Sequence, residues 1–244
     1  MRQFFHKCGS PKYFYRFAGN MLPWLVVLTV ILFAYGLTAG LYLAPADFQQ
    51  GDGFRIIYVH VPAAFMSIAV YSFMALAAAV GFIWRMKLSD VMLKVAAPIG
   101  AWFTFLALVT GSIWGKPMWG TYWVWDARLT SELILLFIYF AVIALREAIQ
   151  DKELAAKATG ILVIVGFVNI PVIHYSVYWW NTLHQGSTIN VFGKSLMPSG
   201  MLYPLFSMIF AFTLFFGIIL LMRARCEILK REKKTSWVKE LLES

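Results

Sequence analysis

Tryptophan is unusually dense in one short stretch of this sequence. Four of the ten tryptophans lie within residues 114–125, and an aspartate follows them. Indole rings are flat and apolar with one N–H donor, so such a cluster suits either a large planar ligand or the interface of a membrane. If the stretch after Pro117 is helical, Trp119, Trp123 and Asp126 share one face of a helix lying flat on the membrane. A ligand platform and a structural aromatic belt both remain open from this spacing.

Histidine is the second residue type here that bears on chemistry. We predict that His60 closes the first connection between apolar segments and that His184 opens the fifth. Both would then flank the tryptophan-rich connection at the same edge of the membrane. Two imidazoles on either side of a flat aromatic pocket suit axial coordination of a haem iron. Zinc is disfavoured, because these connections offer no cysteine and few carboxylates to complete four ligands.

The other histidines and the cysteines are weaker candidates for a functional site. We interpret His6 as incidental, and His174 as a satisfied polar residue of the fifth apolar segment or as a residue that supports the ligands. Cys8 and Cys226 fall in segments that we place in the cytoplasm, where a disulfide is not expected. The sequence has no CxxC or CxxCH pattern, which excludes a redox dithiol and a covalent haem-attachment site.

Positive side chains on the same side of the membrane provide partners for an anionic group. Arg55, Lys116 and Arg128 are three of only four basic residues in the first, third and fifth connections. A guanidinium pairs with a carboxylate, such as a haem propionate, through two parallel hydrogen bonds. An ion pair of Arg128 with Asp126 or Glu132 explains its position equally well.

Long apolar segments must position these residues. Of the 244 residues, 61% are hydrophobic and 14% charged, against about 45–50% and about 25% in soluble domains. A soluble fold could not bury so much apolar surface, so we predict an all-α polytopic membrane protein. Six runs approach the roughly 20 residues that a span requires. The predicted spans are Leu22–Leu43, Pro62–Trp84, Leu93–Trp114, Leu129–Leu145, Ala158–Trp179 and Met201–Met222.

Basic residues alternate from one connection to the next. The two ends and the second and fourth connections hold 17 of the 21 lysines and arginines, and the other three connections hold the remaining four, including Lys194. The positive-inside rule then places both termini in the cytoplasm and the tryptophan-rich segment, 114–130, on the opposite, external face. We divide the chain into a transmembrane domain, 1–222, and a basic cytoplasmic tail, 223–244. The tail is interpreted as a solvated helix end near anionic lipid or as a docking surface.

The tryptophan-rich connection also matches a known motif. Residues 119–126 read WGTYWVWD, which fits the pattern WGxxWxWD. This is the WWD signature of the membrane proteins that handle haem in cytochrome c maturation. The continuation ARLTSE, the chain length, the six spans and the positions of His60 and His184 resemble the haem exporter protein C (CcmC) branch of that family. The resemblance covers essentially the whole chain up to the basic tail.

The resemblance implies a function and a set of partners. Members of this family hold haem b at the periplasmic face of the bacterial inner membrane and present it to a periplasmic haem chaperone, which binds it covalently through its own histidine. They work beside an ABC-type ATPase subunit, a second membrane subunit and a small single-span subunit. This sequence has no GxxxxGK[ST] pattern, so any ATPase is another chain. We therefore expect a haem-transfer component that is not itself an enzyme.

The resemblance further assigns roles to individual residues. His60 and His184 would be the axial ligands of the haem iron. Arg55 and Arg128, considered above for the propionates, complete the predicted haem-binding set. The haem and chaperone platform would consist of Trp114, Trp119, Trp123, Trp125 and Asp126.

Two other function classes explain parts of the sequence. A solute permease would place polar or broken-helix features near the middle of the bilayer, and the spans show few. Those present are Asn169 with Pro171, Ser67, Ser72 and Thr104. An assembly subunit with a purely structural aromatic belt would bind no haem. The sequence shows an outer site and no obvious inner one, so passage of haem through this chain and lateral entry from the lipid are both open.

Overall fold

Helices make up most of the structure. The computed structural model describes residues 10–184 and 197–243, and within these ranges it has no β-strand. His6, Cys8 and Lys194 lie outside the described residues. A π-helical turn, Ala39–Leu43, extends the first helix, and a 3₁₀ turn, Asp52–Ile56, leads into the second. The α-helices are α1 (Pro11–Thr38), α2 (Ile57–Trp84), α3 (Lys87–Trp119), α4 (Ala127–Ala148), α5 (Lys152–Gly166), α6 (Asn169–Trp179), α7 (Ser199–Glu232) and α8 (Ser236–Glu243).

Within the described residues, six helical stretches are long and apolar enough to cross a membrane. This confirms the predicted all-α fold with six spans. Several helices continue beyond the predicted spans, because hydropathy marks only the apolar middle of a helix and misses its polar or aromatic ends. The stretches are Pro11–Leu43, Asp52–Trp84, Lys87–Trp119, Ala127–Ala148, Lys152–Trp179 and Ser199–Glu232.

Two buried tyrosines join the helices at the centre of the bundle. Tyr71 of α2 and Tyr139 of α4 are fully buried, with ring centres 5.3 Å apart and edge to face. The Tyr71 hydroxyl donates to the carbonyl of Val163 at 3.1 Å, and that of Tyr139 donates to the carbonyl of Ser67 at 2.8 Å. Gly100 of α3 allows the Tyr139 ring to approach, since any Cβ there would overlap it. These contacts fix α2, α4 and α5 around α3.

The tryptophan-rich connection is helical only at its start. α3 ends at Trp119, and Gly120 follows with a left-handed φ of +77° and donates its N–H to the carbonyl of Lys116 at 3.0 Å. Glycine is common at this helix-ending position because a side chain would be strained there. The chain then runs without helix to Asp126, which precedes α4. The expectation that Trp119, Trp123 and Asp126 share one helix face is therefore wrong.

Helix α2 begins earlier than predicted. We expected His60 in a connection, with Pro62 at the start of the span, but α2 begins at Ile57. Ile57 and Tyr58 are buried, and their packing stabilises helix ahead of the proline. Because Pro62 lacks an N–H, only one hydrogen bond, at the carbonyl of Tyr58, is lost. His60 is thus held by the first turn of a helix.

The fifth span consists of two helices. α5 ends at Gly166 and α6 begins at Asn169, where we predicted one continuous run. Pro171 accounts for the break, since a proline ring clashes with the carbonyl four residues earlier, here that of Phe167. The Asn169 side chain donates to the carbonyl of Ser131 at 2.9 Å, which ties α6 to α4.

An ion-pair network, here called the ionic end, joins the start of α3 to the ends of α4 and α7. Asp90 pairs with Arg146 at 2.6 Å and with Arg231 at 2.8 Å. Glu227 pairs with Lys94 at 2.8 Å and with Arg231 at 2.7 Å. α7 continues without interruption into the basic tail, so the first part of the tail packs on the bundle through these contacts.

Candidate functional site

A cavity opens at the other end of the bundle, between α2, α3, α4 and the segment after α6. Its empty volume, with the space at the open mouth included, is about 740 Å³. Its lining is mostly apolar and aromatic with a few polar groups, as ligand sites usually are. The lining residues are His60, Ala64, Ala107, Leu108, Gly111, Ser112, Trp114, Gly115, Met118, Trp119, Trp123, Arg128, Leu129, Glu132 and His184.

His60 is held in one orientation by α3. Its Nδ1 lies 3.1 Å from the carbonyl oxygen of Ala107 and 3.1 Å from Oγ1 of Thr110. A carbonyl oxygen only accepts hydrogen bonds, so Nδ1 of the neutral ring carries the proton and donates it. The lone pair is then on Nε2. A hydrogen bond on one ring nitrogen is the usual way in which a protein orients a metal-binding histidine.

Gly111 and Trp114 surround the His60 ring. A Cβ at position 111 would lie 2.9 Å from Cε1 of His60, closer than the roughly 3.5–4.0 Å at which carbon atoms pack. The Trp114 ring lies edge to face with the imidazole at 5.6 Å. Since a glycine inside a helix is destabilising by about 1 kcal/mol relative to alanine, its presence here is explained by the close approach of the ring.

His184 brings a second imidazole to the cavity. It lies beyond the end of α6, and its ring centre is 6.5 Å from that of His60 and 6.5 Å from that of Trp119. Its main-chain carbonyl accepts a hydrogen bond from the Thr182 hydroxyl at 3.3 Å. Imidazole nitrogens bind metals at about 2.0–2.1 Å. The separation of the two ring centres is short enough for both imidazoles to reach a single metal ion.

The four tryptophans of residues 114–125 divide into an inner and an outer part. Trp114, Trp119 and Trp123 line the cavity. The indole N–H of Trp114 donates to the side-chain oxygen of Gln50 at 2.8 Å, which fixes the ring against the first connection. Trp125 packs edge to face on Trp123 at 5.4 Å but is 76% exposed and lies outside the lining. The cluster therefore presents one surface to the cavity and another to the exterior.

Arg128 and Asp126 lie where α4 begins. Arg128 lines the cavity and donates from Nη1 to the carbonyl of Ile173 in α6. In the described part of the chain no carboxylate lies within 4.0 Å of its guanidinium, so Asp126 and Glu132 do not form the contact ion pair considered above. Asp126 instead accepts the N–H of Leu129 at 2.8 Å and caps α4.

Arg55 and Lys116 lie outside the lining. Arg55 pairs with Asp52 at 2.9 Å and donates to the carbonyl of Gly40 at 2.9 Å. Lys116 donates to the carbonyl of Gly120 at 2.9 Å. Both side chains fix the connections around the cavity.

The cavity brings together six of the nine predicted haem-binding residues. Trp125, Asp126 and Arg55 lie outside its lining. Sequence reasoning did not single out the residues that orient the histidine and tryptophan rings, because contacts between helices leave no spacing pattern within one element. These residues are Gln50, Ala107, Thr110 and Gly111.

Buried polar atoms without partners concentrate beside the cavity. Among residues 10–184 and 197–243, four buried side-chain nitrogen or oxygen atoms have no hydrogen-bond partner. Three of them are Nε1 of Trp123, Oδ2 of Asp126 and Oε1 of Glu132, and the fourth is Nε of Arg225. Such groups are rare in native proteins, and each needs an explanation. Their concentration here makes this region a candidate for ligand binding.

Comparison with known proteins gives a match over nearly the whole chain. The family model described as CcmC, Heme exporter protein C, matches residues 4–239. The chain belongs to the haem exporter protein C family. This confirms the family predicted from the WWD motif.

Similar members of the haem exporter protein C family occur in several organisms. Heme exporter protein C of Escherichia coli K12 is 53% identical over 97% of this chain and 96% of the relative. That of Haemophilus influenzae is 49% identical over 100% and 99%. A ccmC-like mitochondrial protein of cytochrome c biosynthesis from Marchantia polymorpha is 44% identical over 94% of each chain. The similarity thus spans the transmembrane helices and the WWD segment together.

Proposed function

We propose that this family member binds haem b in the cavity through His60 and His184 and delivers it to a periplasmic haem chaperone. Haem is then the transported substrate. The observation that carries the proposal is the hydrogen bond from His60 Nδ1 to the carbonyl of Ala107 at 3.1 Å. This bond leaves Nε2 for a metal, and His184 supplies a second imidazole in the same cavity.

The remaining lining suits a porphyrin. Trp114, Trp119 and Trp123 offer flat apolar surface, and Arg128 offers N–H groups to a propionate. The exposed Trp125 contributes to the surface on which the chaperone docks. Because Trp125 packs on Trp123, haem and chaperone share one aromatic cluster. Asp126 acts by positioning this segment through its cap on α4.

Charge distribution and family support a location and a set of partners. The relatives' names describe haem export and cytochrome c biosynthesis. We place the chain in the bacterial inner membrane with both termini in the cytoplasm, because 17 of 21 basic residues fall on one side of the six-span order. An ABC-type ATPase subunit, a second membrane subunit and a small single-span subunit complete the complex. This chain binds haem and hands it on, and any bond-forming step belongs to the chaperone.

Visible spectra of the detergent-purified protein test this function. The wild type, His60→Ala and His184→Ala are each expressed with and without the chaperone. We expect a Soret band with low-spin α and β bands in the wild type, and loss or shift of these bands in each variant. His174→Ala is the matched control, since His174 is exposed and packs on Tyr175 outside the cavity.

Two outcomes contradict the proposal. Identical spectra for all four proteins would mean that the iron ligands lie elsewhere. A wild type that takes up no haem under either condition would mean that the cavity is not a haem site. The tryptophan cluster would then be a membrane belt or a docking surface.

A further inference from the structure

The inner part of the cavity contains a buried carboxyl group with an unused oxygen. Glu132 lies one helical turn further along α4 than Arg128, and so deeper in the bundle. Only 8% of it is exposed, it lines the cavity, and its Oε1 has no hydrogen-bond partner in the described part of the chain. A buried polar group without a partner is destabilising by about 1–3 kcal/mol. A ligand that supplies the partner recovers this loss on binding.

A second unused group belongs to another residue of the cavity lining, on a different element. Nε1 of Trp123, in the non-helical segment before α4, is buried and has no partner in the described chain. An indole N–H only donates, whereas a carboxyl group accepts and, when protonated, also donates. The complementary ligand group must therefore accept from Trp123 and exchange a hydrogen bond with Glu132. A carboxyl group does both with its two oxygens.

The charge of Arg128 favours the same ligand group. Arg128 and Glu132 are four residues apart on α4 and so lie on one helix face. Two carboxyl groups that share one proton carry a single negative charge, which the guanidinium balances. The arrangement of Arg128, Glu132 and one ligand carboxyl group is then neutral. Neutrality matters because an unbalanced charge is strongly disfavoured in this apolar surrounding.

We propose that Glu132, Trp123 and Arg128 form a receptor for one carboxyl arm of the transported porphyrin. One oxygen of the arm accepts from the Trp123 indole, and the other shares a proton with Oε1 of Glu132. This inference rests on the proposed function, and it adds a group that selects the acid form of the substrate and sets the rotation of the ring in the cavity.

Comparing the free acid of haem with its dimethyl ester tests whether this part of the cavity recognises a carboxyl group or only offers apolar surface. An ester accepts hydrogen bonds but has no proton to share with Glu132. Purified protein is titrated with each porphyrin, and the Soret change gives two dissociation constants. We expect the wild type to bind the acid at least about tenfold more tightly than the ester, since one such hydrogen bond corresponds to about a tenfold change or more.

Three variants test the residues. In Glu132→Leu the acid-to-ester preference should fall by about tenfold, and the part that remains comes from the pairing of the acid with Arg128. Glu132→Gln keeps a donor and an acceptor at the same place, so it should retain the preference. Trp123→Phe removes only the indole N–H from the receptor and should lose part of the preference. Trp119→Phe is the matched control: its ring also lines the cavity, and the change should alter both constants by the same factor.

The outcomes separate this inference from the proposed function. A low-spin spectrum with equal affinities for acid and ester in the wild type overturns the receptor alone. An undiminished preference in Glu132→Leu also overturns it. If Glu132→Leu does not fold, the proposal is tested with Trp123→Phe alone. An unchanged acid-to-ester preference in that variant overturns the receptor. Absence of any low-spin spectrum in the wild type with either porphyrin overturns both proposals.

Discussion

The carboxyl groups at the two ends of the helix bundle differ in whether the protein supplies partners for them. At the ionic end each carboxylate, Asp90 and Glu227, has two basic partners at 2.6–2.8 Å. At the cavity end Asp126 and Glu132 each have one buried oxygen without a partner in the described chain. The first arrangement is complete within the protein. The second is not complete within the described residues.

This difference separates a structural role from a binding role. α3 and α4 run from one end of the bundle to the other, so the ion pairs of Asp90 and Arg146 hold the far ends of the helices that carry Gly111 and Arg128. Proteins commonly break local rules of polar satisfaction at functional sites and compensate elsewhere. Here the ionic end provides the compensation, and the cavity end carries the unused groups.

The largest expected effect comes from breaking the ionic end. Asp90→Ala leaves two arginines without their shared partner, and the Arg146 side chain is only 9% exposed. Removing one member of a buried pair is destabilising by about 3–5 kcal/mol. Because the Asp90 side chain is 21% exposed, we expect about 3 kcal/mol. Thermal unfolding in detergent measures this loss.

Glu147→Gln is the matched control for that variant. Glu147 is exposed near the end of α4 and forms no ion pair with a described residue. Its replacement should change stability by no more than about 0.5 kcal/mol. If Asp90→Ala unfolds at the same temperature as the control, the ion pairs do not stabilise the bundle and the contrast between the two ends is lost.

The sequence predicted the fold well where a single element carries the signal. Six apolar runs gave the six spans, because each run is long enough to cross a bilayer by itself. The end of α3 was missed although Gly120 marks it, since a glycine among tryptophans was read as part of the motif. The break in the fifth span follows from Pro171, which we had noted with Asn169 among the few polar or broken-helix features of the spans.

The candidate site was predictable only in its motif residues. His60 and His184 stood out because histidine is rare here and both lie near the tryptophan-rich connection. The hydrogen bond that orients His60 joins residues 47 positions apart, and the ion pair of Asp90 with Arg231 joins residues 141 positions apart. Such contacts arise from the packing of helices, and no local spacing encodes them.

A smaller effect is expected at the cavity end from Gly111→Ala. The added methyl group would lie 2.9 Å from Cε1 of His60 and should displace the imidazole from its hydrogen bond to Ala107. We expect haem affinity to fall by about tenfold, equivalent to about 1.4 kcal/mol, through loss of the oriented ligand. Titration with haem and the position of the Soret band measure the change.

Gly217→Ala controls for the general effect of replacing a helical glycine. Gly217 is inside α7, and apart from its chain neighbours and the nearby backbone of α7, no atom lies within 4 Å of a Cβ at this position. This variant should gain up to about 1 kcal/mol of stability and keep the haem affinity. An unchanged affinity in Gly111→Ala as well would show that the His60 ring tolerates the methyl group, and the orienting role of α3 would be wrong.

The smallest effect is expected from Arg55→Gln. This variant tests whether a residue outside the cavity lining contributes to haem binding. Arg55 lies outside the lining and pairs with a mostly exposed Asp52, so its loss should alter stability by about 1 kcal/mol or less and haem affinity by less than about twofold. Arg128→Gln is the comparison, since it removes a cation from the lining and should weaken binding by about tenfold. Haem titration of the two variants side by side measures the difference. Equal weakening in both variants would mean that Arg55 contacts a propionate and that the binding site extends to the first connection. If only Arg128→Gln loses affinity, the charged propionate lies at the start of α4, beside the unpartnered oxygens of Asp126 and Glu132.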